Sequence, residues 1–126
     1  MNIQHYIASG NLELYAMGAL PEREHRKTGA RIAAQPELYA ELQMISKTLE
    51  QLARINGTIP DPQVRQELLM LLDPELRDTF EALYYRRYKQ EEAAGKLNLS
   101  PEVVQERARQ AVNKLRALLE ARRKKG

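Results

Sequence analysis

The sequence predicts an all-α protein, and three observations carry that reading. Apolar residues recur three and four positions apart along most of the 126 residues. No stretch shows the valine- and threonine-rich alternation of a strand. Helix starts are marked by proline, three of them directly after a residue able to cap an orphan amide: Asp61-Pro62, Asp73-Pro74 and Ser100-Pro101. Hydrophobic residues make up 43% of the chain, enough for a core. With no Trp and one Phe, that core must be built from Leu, Ile, Val, Ala and Tyr.

Taken in order, Ile3, Tyr6 and Ile7 predict a short first helix ending at Ser9-Gly10. Leu12, Leu14, Tyr15 and Met17 predict a second, closing near Gly18. Pro21 opens a third, with Glu22 and Glu24 in the first turn, where carboxylates suit the helix dipole. It should stop before Pro36, because the residue preceding a proline avoids the α region. Pro36 then begins a helix with Leu38, Leu42, Ile45, Leu49 and Leu52 at helical spacing. "INGTIPDP", residues 55–62, interrupts the pattern with Asn-Gly and two prolines, which makes a turn or linker and the one convincing domain boundary. Beyond it, a helix over 62–71 carries Val64, Leu68, Leu69 and, just past its end, Leu72. A helix over 74–86 carries Leu76, Phe80, Leu83 and Tyr84; a short one covers 89–97; a long one runs from 101 to about 122. In the last, Val104, Ala108, Ala111, Leu115 and Leu118 form one buried stripe facing Ala93, Ala94 and Leu97. Between them, Asn98 suits the left-handed backbone of a tight turn, and Leu99 plugs the core. Short helix, tight turn and long basic helix make a helix-turn-helix.

Charge is unevenly placed. Residues 1–57 carry six basic and six acidic groups, residues 61–102 six and nine, and residues 103–126 eight and two. The positive field therefore lies in the last helix and the "RRKKG" tail, as a phosphate footprint or as cations offsetting the helix dipole. There is no cysteine, so disulfides and thiolate metal sites are excluded. No apolar run is long enough to span a bilayer, and "MNIQHYIASG" lacks the basic and apolar segments of a secretory signal, so a soluble cytoplasmic protein is expected. Both histidines are isolated and the six glycines form no phosphate loop. The pairs Glu91-Glu92 and Glu22/Glu24 sit at helix starts, where the dipole explains them. No enzyme and no cofactor is expected.

Residues 72–119, "LDPELRDTFEALYYRRYKQEEAAGKLNLSPEVVQERARQAVNKLRALL", resemble the promoter-reading region 4 of extracytoplasmic-function sigma factors. The likeness rests on Leu72, Pro74, Arg77 and Phe80, then Glu91, Glu92, Ala94, Leu97, Leu99 and Ser100, then Val104, Arg107, Ala111, Leu115 and Arg116. It implies a second helix that enters the major groove. Arg107, Arg109, Asn113 and Lys114 are then the candidate DNA contacts, with Arg86, Arg87 and Lys89 as backbone clamps. The family's "GTVKSR" is here "EVVQER", so Val103, Gln105 and Glu106 depart from the pattern. Carboxylates repel phosphate, yet Glu102 or Glu106 can accept from cytosine N4 and read a base. The competing reading pairs Arg107 and Arg109 with acidic neighbours.

Residues 11–53 resemble the N-terminal domain of anti-sigma factors, through Leu14, Tyr15, Met17, Gly18, Leu20 and Glu24, then Pro36, Glu37, Ala40, Glu41 and Leu42. Many members hold zinc. The equivalent positions here are Arg31, Gln35 and Leu38, which are not ligands, so the resemblance implies a version without metal. The stripe Leu38, Leu42, Ile45 and Leu49 is the candidate protein-binding surface, unless it closes a small core of its own.

The expected organisation is an anti-sigma-like helical domain (1–57), a linker (58–62) and a sigma region 4-like helix-turn-helix domain (63–126). The expected function is regulation of transcription initiation through a sigma factor or RNA polymerase, with promoter DNA and a second copy of the chain as further candidate partners and no membrane. The alternative is an interaction module that binds no DNA: a sigma-factor decoy or an anti-sigma protein.

Overall fold

The computed structural model describes residues 2–53 and 62–125, and every regular element among them is helical. The N-terminal elements are α1 (Ile3–Ala8), α2 (Asn11–Ala16), α3 (Glu22–Ala34) and α4 (Pro36–Ala53). The C-terminal ones are α5 (Pro62–Met70), α6 (Pro74–Phe80), α7 (Gln90–Leu97) and α8 (Pro101–Lys125). The linker expected at 58–62 and the Asp61 cap lie outside the described residues, apart from Pro62, which opens α5.

The punctuation works in two ways. Ser100 caps α8 as expected, its Oγ accepting from the Val103 amide at 3.2 Å. Asp73 does not cap α6 with its side chain. There the Asp73 carbonyl accepts from Arg77 N at 2.9 Å, and Pro74 presets the first turn. The helix expected over 74–86 is α-helical only to Phe80; Glu81–Tyr85 form a π-helical turn closed by Arg86 N on the Glu81 carbonyl at 3.0 Å. Widening the turn lets Tyr84 and Tyr85 both reach the Phe80 ring, at 5.2 and 6.0 Å. Between α7 and α8, Asn98 takes the left-handed conformation (φ 56°, ψ 46°), and Leu99 N returns to the Ala94 carbonyl.

The buried side chains form one continuous cluster, from Leu12 and Leu14 on α2 through Leu38, Ile45 and Leu49 on α4 to Val104, Ala108, Ala111 and Leu115 on α8. α8 is the axis of the arrangement. It packs against α6 and α7 and also against α2 and α4. Val112, outside the expected stripe, is therefore fully buried as well. It belongs to a second face, Gln105, Arg109, Val112 and Arg116, spaced as i, i+4, i+7 and i+11.

Among the described residues no helix is long and apolar enough to cross a membrane.

Candidate functional site

The second face of α8 is where the N-terminal helices sit. Gly10, between α1 and α2, has φ +91° and lies so close to α8 that a Cβ there would overlap the carbonyl oxygen of Gln105. Only glycine meets both demands, positive φ and no side chain. One turn further along α8, Arg109 Nη1 donates to Glu13 Oε2 of α2 at 2.7 Å and to Glu41 Oε1 of α4 at 3.2 Å. Arg116 follows, with Nη2 4.0 Å from the same Glu41 oxygen. Glu13 is fully buried, and the Arg109 side chain is 20% exposed.

Taking a carboxylate out of water costs several kcal/mol (an order of magnitude) unless partners replace the solvent. Burial pushes the Glu13 carboxyl above the usual glutamate range, and the hydrogen bond and charge of Arg109 pull it only partway back. For Arg109, burial works against the cation, but the hydrogen bonds and charges of Glu13 and Glu41 outweigh it and raise the guanidinium's pKa. The network is incompletely satisfied. Glu13 Oε1 and Arg116 Nε and Nη2 are buried with no hydrogen-bond partner among the described residues.

A second set of contacts joins the end of α2 to the start of α7. Arg87 Nη1 donates to the Met17 carbonyl at 3.4 Å, Lys89 Nζ to the Gly18 carbonyl at 2.8 Å, and the Gln90 amide to the Ala19 carbonyl at 2.7 Å. The last bond satisfies a first-turn amide of α7 that has no partner within its own helix. Arg87 has φ 60°, an uncommon conformation for a side-chain-bearing residue, and its guanidinium lies 5.6 Å from the centroid of the Tyr84 ring. Gln90 Nε2 donates to the Pro101 carbonyl at 2.9 Å and to Gln105 Oε1 at 3.3 Å, tying α7 to the same face of α8.

The structure thus divides the expected DNA contacts among three places. Arg87, Lys89 and Arg109 are engaged with the N-terminal helices. Arg107 turns the other way, with Nη2 3.6 Å from Glu75 Oε2. The remaining group is exposed: Glu102, Glu106, Asn113 and Lys114 on α8, and Arg86 after α6. Glu106 accepts from Gln110 Nε2 at 2.9 Å. The face Glu102, Glu106, Gln110, Asn113 and Glu120 therefore presents three carboxylates to solvent. The expected protein-binding stripe is occupied from within: Leu38, Ile45 and Leu49 are buried and Leu42 is half-buried in the chain's own core.

Sequence reasoning missed Glu13 and Gly10 as members of this site, and named Glu41 and Arg116 only within motifs. The available signal was a glutamate inside the apolar run Leu12-Glu13-Leu14, facing a complementary cation stripe on α8.

Two of the positions that the anti-sigma likeness would set against zinc ligands, Arg31 and Leu38, are otherwise used. The Arg31 guanidinium lies 5.3 Å from the Tyr6 ring centroid, and Leu38 is buried. Among the described residues, no group of three or more His, Cys, Asp or Glu is placed to hold a metal ion. No family model, curated protein or solved structure matches the chain.

Proposed function

We propose that the chain regulates transcription initiation. In this reading α5–α8 act as a sigma-like helix-turn-helix domain that contacts promoter DNA or RNA polymerase, and α1–α4 act as an anti-sigma-like protein-binding domain, the two divided near residues 58–62. The protein works by binding, in the cytoplasm, with a sigma factor or polymerase as partner. The observation that carries the reading is the pairing of α7 and α8 across a left-handed Asn98, with α2 and α4 seated on α8. That is the arrangement expected of a protein-binding domain holding a helix-turn-helix.

A second reading has its own support. The solvent face of α8 carries Glu102, Glu106 and Glu120, which repels a phosphate backbone and favours a module that binds protein alone.

A reconstituted initiation reaction tests the first reading. Adding the full chain to bacterial polymerase holoenzymes should change the yield of initiated transcript for at least one sigma factor. An unchanged yield at saturating protein, together with no co-purification of any sigma factor or polymerase, would rule both readings out. Co-purification with no retardation of promoter DNA would select the second.

A further inference from the structure

Four cations of the helix pair and the segment before it are engaged by the N-terminal helices. Arg109 and Arg116 lie on the α8 face that receives α2 and α4, and Arg87 and Lys89 lie just before α7. Most of their partners come from one short segment. Glu13 takes Arg109, the Met17 carbonyl takes Arg87 and the Gly18 carbonyl takes Lys89. α2 and its exit thus offer these cations three oxygens, one from a carboxylate and two from neutral carbonyls.

We infer that Arg87, Lys89, Arg109 and Arg116 form a phosphate-backbone site whose cations are engaged by the chain's own α2, its exit and α4, so that nucleic acid and the N-terminal helices compete for the same cations. This rests on the reading of α5–α8 as a DNA-contacting domain, and it relocates the contact from the acidic solvent face of α8 to the covered one. Three features favour exchange over a permanent seal. Two of the covering groups are neutral carbonyls, weaker partners for a cation than a phosphate. The ionised one is a desolvated carboxylate with an unpartnered oxygen. Arg116 has two buried nitrogens with no acceptor among the described residues.

The test is the affinity of a fluorescent 20-base-pair duplex for the full chain, read by anisotropy. Gly10→Ala drives α2 off α8 while leaving every charge in place. Glu13→Gln with Glu41→Gln loosens the same seam without the backbone clash and serves if the first variant folds poorly. Both should bind the duplex at least about tenfold more tightly than the wild type. Neutralising four phosphates predicts that their affinity falls on the order of a hundredfold between 50 and 200 mM salt. Adding Arg109→Gln and Arg116→Gln to either should return affinity towards the wild-type level. Equal affinity in the wild type and both opened variants overturns the inference and leaves the DNA reading standing. No binding by any of them at low salt removes the DNA reading itself, and the inference with it.

Discussion

Replacing Gly10 by alanine separates two costs that the structure assigns to different glycines. Gly10 and Gly18 both have positive φ, +91° and +67°. A Cβ at Gly18 meets nothing within 4 Å, whereas one at Gly10 overlaps the Gln105 carbonyl oxygen and lies 3.1 Å from its carbon. Gly18→Ala therefore carries only the backbone penalty, about 1–2 kcal/mol. Gly10→Ala carries that penalty and a clash with main chain, which a rotamer change cannot relieve. A further 1–3 kcal/mol, typical of overpacking, brings the expected loss to about 2–5 kcal/mol. Urea denaturation of both variants, followed by tryptophan-independent far-ultraviolet circular dichroism, gives the two free energies. Gly10→Ala should be the more destabilised by at least about 1 kcal/mol, with hydrogen exchange rising first in α1 and α2. Equal losses at the two positions would refute the close approach of the α1–α2 corner to α8.

Arg109→Ala should destabilise the chain by about 3–5 kcal/mol, because it strands the buried Glu13 carboxylate. The pair Arg109→Met with Glu13→Leu should recover most of that loss in the same denaturation assay. Glu13 titrates above its usual value when folded, so the folded chain binds more protons than the unfolded chain in the interval between the two pKa values. Its contribution to stability is thus fully present below the unfolded value and is lost as pH rises through the folded one. Stability of the wild type relative to Glu13→Gln should fall with rising pH across that interval; a difference that rises instead would contradict burial as the dominant influence, at a site where Arg109 and Glu41 also act on the carboxyl. Val112→Ala should cost about 2 kcal/mol. Val103→Ala, at a position 37% exposed, should stay within about 0.5 kcal/mol of the wild type, as measured by thermal unfolding.

Much of the architecture was legible because its signals are local. Proline at Pro36, Pro62, Pro74 and Pro101 marks helix starts whatever the tertiary context, and the stripe Val104, Ala108, Ala111 and Leu115 follows from helical periodicity. The π-helical turn was not legible, since the apolar spacing of Phe80, Leu83 and Tyr84 reads the same in an α-helix. The site was harder for a different reason. A lone arginine on a basic helix reads the same whether it faces phosphate or a carboxylate brought from 96 residues away, as Glu13 is to Arg109. Gln105 shows the same limit. It departs from the family-like pattern, and the structure sets it against Gly10 and Gln90, where a long cation would meet the N-terminal helices. The stripe Leu38, Ile45 and Leu49 signalled burial correctly but not against what; its partner is this chain's own core.

The amide of Gln90 reports most directly on whether nucleic acid and the N-terminal helices exclude one another. It donates to the Ala19 carbonyl at 2.7 Å only while α2 is seated. Hydrogen exchange at that amide, followed as duplex DNA is titrated into the full wild-type chain at low salt, should accelerate in proportion to the DNA bound. Bound DNA with Gln90 still protected would contradict the account.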